Sequence, residues 1–342
     1  MAHRFTGFRL ALALLGLPLL LSAGAGSAAL WWLDRSLPLA AAHAELSIEL
    51  GASPREVAQA WVDAGVQTSP RLLYEWFRWS GQARRIRAGS YEIDATTSPR
   101  RLLEKMVQGD ETLEHLLIIE GWTLRQLRAA LAGAAQLRPA SSGLDDAQLM
   151  ASLGSPGVAA EGQFFPDTYA YSRGVSDLTV LRRAHRALQQ RLAMAWAQRA
   201  ADTPLRSAEQ ALILASIVEK ETGAAADRGL VAGVFNNRLR IGMPLQTDPT
   251  VIYGLGARFD GNLRRRDLLA DGPYNTYLRA GLPPTPIALP GMASLLAAVR
   301  PEPTLALYFV ARGDGSSAFS QTLAEHNRAV NQYQRPPRRA RP

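Results

Sequence analysis

The stretch "ASIVEKET", residues 215 to 222, puts two carboxylates, Glu219 and Glu221, at the end of an otherwise apolar run. Upstream, Ser207 and Gln210 have the spacing of a capping box, Ala211 to Val218 is nearly all apolar, and Gly223 follows as a stop signal. The pattern predicts a helix that is apolar all round, which belongs in the middle of a domain. At about 100° per residue, Glu219 falls on the stripe of Leu212, Ala215 and Ser216, and Glu221 on that of Leu214 and Ile217. The small neighbours Ala215 and Ser216 would let a ligand approach Glu219, whereas Ile217 and Val218 crowd Glu221, so the pattern leans towards Glu219. The negative end of the helix dipole and a dry wall both push such a carboxyl towards its neutral form, and a carboxylic acid held protonated near neutral pH suits a general acid. The competing reading pairs Glu219 with an arginine such as Arg238 in "FNNRLR", tying two helices together; spacing leaves the two open.

Two loops add groups suited to holding a sugar chain. "MPLQTDPTVIYGLG" and "PYNTYLRAGLPPTPIALPG" supply Gln246, Thr247, Asp248, Tyr253, Asn275 and Tyr277, a mix of amide, hydroxyl, carboxylate and flat aromatic groups. "EGQFFPDTYAYSRG" adds Glu161 among aromatics, and reads equally as a ligand-facing or a packed loop. Other chemistries find no support. With 0 cysteines, thiol catalysis, disulfides and zinc thiolate sites are excluded. His3, His43, His115, His185 and His326 have no metal-ligand spacing, and His326 reads as structural. There is no phosphate loop, dinucleotide fingerprint or serine elbow, so the expectation is acid-base work by a carboxylate with no cofactor and no metal.

The elements that position these groups are marked by their caps. Ser53-Pro54-Arg55, Ser69-Pro70-Arg71 and Ser98-Pro99-Arg100 each predict a helix start, and Glu56 completes a capping box with Ser53. Leu46, Ile48 and Leu50 alternate as a strand, and "AGSYEI" forms another, giving the order strand, helix, helix, strand, helix. Leu116 to Ile119 predicts a buried strand, and Thr123 with Gln126 caps the helix after it. Residues 134 to 157, rich in Ala, Ser, Gly and Asp, are the expected domain boundary. A long amphipathic helix from Ser176 to about Arg199 leads to the glutamate helix, and the chain closes with a helix after Pro290, the strand "LALYFVA" and a helix containing "TLAEHNRAV". Helices outnumber scattered strands, so the class is α+β.

The ends of the chain bear on location. Arg4 and Arg9 precede an uncharged stretch from Leu10 to Leu33 that closes on Trp31 and Trp32, long enough to span a bilayer with an aromatic belt. A cleaved signal peptide is the competing reading, with Ala23-Gly24-Ala25 as the cleavage site; length and the tryptophans favour an anchor. Both readings export the rest of the chain, and the 342 residues with 47% hydrophobic content are enough for a real core. Arg335, Arg338, Arg339 and Arg341 account for half of the net charge of +8, which marks a basic tail and not a nucleic-acid surface.

"LILASIVEKET", "VFNNRLRIGMPLQTDPTVIYGLG", "YNTYLRAGLPPTPI" and "FSQTLAEHN" together resemble the MltG family, the YceG-like endolytic murein transglycosylases. "IRAGSYEI", "IIEGWT" and "EGQFFPDTY" extend the resemblance from about residue 45 to 333. It implies a cytoplasmic N-terminus over 1–9, a single transmembrane helix over 10–33 in the inner membrane, and a LysM-like domain with a connecting strand and helix over 45–133. A mainly helical periplasmic catalytic domain would follow over 158–333, with the basic tail at 334–342. The implied activity is internal cleavage of nascent peptidoglycan at the MurNAc-GlcNAc bond to give 1,6-anhydro ends, which terminates glycan elongation. The "SIVEKE" glutamate of the family maps onto Glu219 as the acid, and cell-wall synthases, the penicillin-binding proteins, are the implied partners. A non-catalytic glycan-binding scaffold and a hydrolase of the same bond, with Asp248 as second carboxylate, are the alternatives. Two positions depart from the family pattern: Ser317 stands where a histidine is expected, and Thr285 where glycine is common.

Overall fold

The computed structural model describes residues 24, 26–49, 51–110 and 112–334. The predicted anchor over 10–33 lies for the most part outside them, as does the basic tail. Residues 26–34 are helical, and among the described residues no helix is long and apolar enough to cross a membrane.

The chain divides into two compact units, Met1–Glu114 with Tyr171–Gly174, and His115–Ala170 with Val175–Pro342. Residues 134–157, expected as a boundary, fall inside the second unit. In the first unit, β1 (His43–Ile48) pairs antiparallel with β2 (Gly89–Asp94), Leu46 opposite Tyr91. Helices α1 (Pro54–Asp63) and α2 (Pro70–Trp79) lie between them in sequence, and α3 (Pro99–Gln108) follows. Ser53 and Glu56 close a capping box and Ser98 accepts from the Arg101 N–H, but Ser69 makes no side-chain cap bond, so proline alone sets the start of α2. Trp61, Leu73, Phe77, Tyr91, Leu102 and Met106 form the core, and the Trp61 indole donates to the Met106 sulfur at 3.3 Å.

A further two-stranded sheet pairs β3 (Leu113–Leu117) with β4 (Thr168–Ser172). The strand expected at Leu116 to Ile119 starts earlier and is not buried throughout: Leu116 and Ile118 are, while Leu117 and Ile119 are 54% and 45% exposed. An unbroken apolar run concealed the alternation of a half-covered strand.

The second unit is mainly helical: α4 (Leu124–Gly133), α5 (Asp146–Ser152), α6 (Asp177–Ala197), α7 (Ala208–Glu221), α8 (Arg228–Arg240), α9 (Asp248–Leu255), α10 (Arg265–Leu269), α11 (Met292–Val299) and α12 (Leu323–Tyr333). A hairpin of β5 (Tyr308–Ala311) and β6 (Ser317–Ser320) precedes α12. Every residue of α7 from Ala211 to Val218 is buried, because α6, α8 and α11 pack around it. That is why its sequence shows no polar face. The C-terminus of α7 is closed by Thr222, whose hydroxyl donates to the Val218 carbonyl at 2.7 Å, and not by a left-handed Gly223. The whole is α+β.

Candidate active site

The end of α7 meets chain segments on different sides, and the two glutamates meet different ones. Ala215 and Ser216 are 0% exposed, so the room expected beside Glu219 for a ligand is filled. What fills it is backbone: the Ser216 hydroxyl donates to the Ile213 carbonyl at 2.7 Å and accepts the Ile287 N–H at 3.0 Å. Small side chains on this stripe let residues 287–289 cross the helix closely. That crossing continues into the "IIEGWT" turn, where the Gly121 N–H donates to the Leu289 carbonyl at 2.8 Å and the Leu289 N–H to the Trp122 carbonyl at 2.7 Å.

The strap then delivers the Gly291 N–H to Glu219 Oε2 at 2.9 Å. Glu120 crowds the same place. A Cβ on Gly291 would stand 1.8 Å from Glu120 Oε1, so glycine is what admits that carboxyl. Burial, and then the charge of Glu219, push the Glu120 carboxyl above its ordinary range, with Arg228 opposing. Lys220 donates to the Gly121 carbonyl at 3.2 Å and fastens the turn to α7. Arg238 is not the partner of Glu219: its guanidinium is spent on the carbonyls of Leu307 at 2.7 Å and Leu245 at 2.6 Å.

Glu221 faces the other way. The Thr247 hydroxyl donates to Glu221 Oε1. Burial raises the carboxyl above its ordinary range and Asp248 adds to this, while the Thr247 bond and Arg238 pull it down. Thr247 is itself fixed, 1% exposed, its N–H donating to the Thr276 hydroxyl at 3.1 Å. Before it, Gln246 holds a φ of 51°, a left-handed conformation uncommon outside glycine, maintained by its N–H bond to the Thr276 carbonyl at 3.0 Å. Glu221, Gln246, Asp248, Tyr277, Ser317 and His326 all line one cavity of about 620 Å³. The Tyr277 hydroxyl donates to Asp248 Oδ1 at 2.6 Å, and His326 stacks on Tyr308 with ring centres 5.3 Å apart. Burial lowers the His326 imidazole below its usual range.

A second cavity of about 850 Å³ takes in Glu161 and Tyr253. Glu161 is 8% exposed, accepts the Leu124 N–H at 2.9 Å and the Tyr253 hydroxyl, and is pushed up by burial to about 7. Glu219 lines neither cavity.

The model of the YceG-like family matches residues 46–332. The chain belongs to the YceG-like family. A protein of Bacillus subtilis (strain 168) named endolytic murein transglycosylase is 31% identical over 305 residues, covering 84% of each chain. Another of that name from Streptococcus pneumoniae (strain ATCC BAA-255 / R6) is 26% identical over 351 residues, covering 92% of this chain and 63% of its own. The crystal structure of a yceG-like protein from Listeria monocytogenes superimposes with a TM-score of 0.55 at 30% identity, covering 84% of this chain and 98% of that one.

Within this YceG-like chain the residues singled out from sequence divide into groups. Gln246, Asp248 and Tyr277 stand with Glu221, and Thr247 holds it. Glu161 and Tyr253 lie in the second cavity. Asn275 is a turn residue, 4% exposed, its amide donating to the Leu268 and Ala270 carbonyls at 3.0 and 2.7 Å. Of the departures, Thr285 bonds the Tyr274 hydroxyl at 2.7 Å, and Ser317, whose N–H donates to Asp227 at 2.6 Å, lines the Glu221 cavity. Glu120 and Thr276 join the site without a sequence expectation. The glutamate in "IIEGWT" was a visible signal, whereas nothing in the pattern marks a threonine that bonds across two loops.

Proposed function

We propose that the chain is an endolytic lytic transglycosylase of murein, cleaving the MurNAc-GlcNAc bond of glycan strands to leave 1,6-anhydro-MurNAc ends. Membership of the YceG-like family and relatives bearing that name support the activity. The observation that carries the residue assignment is Glu221, a carboxyl raised by burial on the wall of a cavity with Gln246, Asp248 and Tyr277. It is the acid in this reading, in place of Glu219, which lines neither cavity.

Glu221 protonates the oxygen between the MurNAc C1 and the next sugar. The C1–O bond breaks with its electron pair on the departing oxygen. The C6 hydroxyl oxygen of the same MurNAc closes on C1 and gives its proton to the Glu221 carboxylate, which is ready for the next bond. No water enters, so a second enzyme carboxylate is not required, in contrast to hydrolysis. Asp248, held by Tyr277, braces the wall of the site. In the same reading residues 10–33 anchor the chain in the inner membrane with 1–9 cytoplasmic and the rest periplasmic. The first unit is LysM-like, and cell-wall synthases are the partners that supply nascent strands.

The test is mass spectrometry of products from uncrosslinked glycan treated with wild type, Glu219→Gln and Glu221→Gln. Anhydro ends from wild type and from Glu219→Gln, with none from a folded Glu221→Gln, are expected. Ends heavier by one water would make the chain a hydrolase, and an inactive Glu219→Gln beside an active Glu221→Gln would return the acid to Glu219.

A further inference from the structure

The second cavity belongs to no step of that reaction, yet it adjoins the site along the chain. Lys220 lines it while the next residue, Glu221, lines the acid's cavity; Pro249 lines it while the preceding Asp248 faces the acid. Consecutive Cα atoms are about 3.8 Å apart. The end of α7 and the start of α9 thus contribute residues to both clefts.

Its chemistry differs from what a bare sugar chain requires. One wall is apolar and aromatic, with Ile252, Tyr253, Phe259 and Tyr274; Tyr253 and Tyr274 pack edge to face at 4.9 Å. The rim is cationic. Arg128 is matched by Asp146 at 2.9 Å, whereas among the described residues neither Arg125, exposed on the first turn of α4, nor Lys220, which donates to the Gly121 carbonyl, has a carboxylate at ion-pair distance. At the floor is Glu161, held by the Leu124 N–H and Tyr253. Burial raises this carboxyl to about 7, and its protonated form can donate a hydrogen bond to an incoming carboxylate. Apolar walls with a cationic rim fit an anion with small apolar side chains. N-acetylated sugars are neutral, but murein carries on the lactyl oxygen of each muramic acid a short peptide with free carboxylates, attached to the ring that Glu221 would cleave.

We propose that this cavity is a subsite for the carboxylate-bearing peptide stem of the glycan, with Arg125 and Lys220 receiving its charge and Tyr253, Phe259 and Tyr274 its apolar side chains. The proposal rests on the transglycosylase reading for its ligand and extends it from the sugar backbone to the substituent.

The experiment compares peptide-bearing strands with strands stripped of their peptides by an amidase, using the full-length chain. Wild type should cleave the peptide-bearing strand with a KM about tenfold lower at similar kcat. In Arg125→Glu, and more mildly in Arg125→Ala, that preference should shrink to twofold or less. In parallel, the tetrapeptide L-alanyl-γ-D-glutamyl-diaminopimelyl-D-alanine is titrated into full-length Glu221→Gln by calorimetry, with and without Arg125→Glu. Saturable binding weakened several-fold by the charge reversal is expected. Equal KM for both strands, a preference untouched by Arg125→Glu, or binding of inorganic pyrophosphate but not the tetrapeptide would overturn the subsite. If wild type yields no anhydro ends from either strand, the transglycosylase reading fails, and the tetrapeptide titration still decides whether the cavity takes the peptide.

Discussion

Glu219 and Glu221 lie two residues apart on α7, yet one carboxyl accepts the Gly291 N–H while the other meets Thr247 and an open cavity. Losing a general acid costs about 10²- to 10⁴-fold in rate. Glu221→Gln should show such a loss in kcat with its fold intact, and Glu219→Gln, whose amide oxygen still accepts from Gly291, should stay within several-fold of wild type. In the proposed reaction Glu221 gives its proton only while protonated, and burial raises its carboxyl. The alkaline limb of the pH-rate profile should therefore lie above the ordinary range of a carboxyl, activity falling as pH rises through the raised value. Glu161 gives a stability prediction instead. Its carboxyl moves from 4.5 to about 7 on folding, so the native state binds its proton more tightly than the unfolded chain. Stability from this group is complete below 4.5 and is lost as pH rises towards 7 and beyond, about 3 kcal/mol in all. Glu161→Gln should flatten that loss, so urea midpoints of variant and wild type should diverge between pH 5 and 8, the variant becoming the more stable. At this scale the sequence disclosed the glutamate pair but not which one faces the cavity. Helical periodicity gives the angle of a side chain, and the backbone that covers the stripe of Ser216 and Glu219 comes from Ile287, 71 residues beyond Ser216.

Helix starts were the most legible elements, because a cap is a local bond between residues three apart. Ser53, Ser98, Thr123 and Ser207 all accept the N–H that their spacing predicts. Ends and strands were less so. Thr222 closes α7 where Gly223 offered itself, and β3 needed a partner strand to decide which of its leucines are covered. The strap across α7 could not be foreseen from "PPTPIALPG", since Ser216, which anchors it at Ile287, reads in sequence as empty space. Ser216→Ala tests its importance. The buried Ile287 N–H would lose its acceptor, a cost of about 1–3 kcal/mol, visible as a lower urea midpoint. The same change should raise the exchange rate of the Ile287 amide hydrogen, which a loss of α7 packing alone would not single out.

For the molecule as a whole, the α+β class and the mainly helical second part followed from the ratio of helical to strand signals, while the division between compact units at Glu114 did not. Polar composition marked residues 134–157 as a boundary, but α5 forms there and buries Leu149 and Met150. Loop-like composition records solvent exposure, and a helix with one narrow buried stripe shares it. The remaining expectation at this scale concerns the N-terminus. The anchor proposed above rests on Arg4 and Arg9 ahead of a long uncharged stretch with Trp31 and Trp32 at its far end, a cleaved leader needing a shorter apolar core. Trp31 is 63% exposed and stacks under Arg35 at 4.6 Å, an amphipathic pairing suited to a membrane interface. On the anchor proposed above, the protein should fractionate with membranes and retain the peptide that carries Arg4 and Arg9. A product lacking the residues up to Ala25, recovered without detergent, would replace the anchor with a signal peptide and turn a tethered enzyme, confined to strands near the bilayer where new glycan is made, into one free to reach the mature wall.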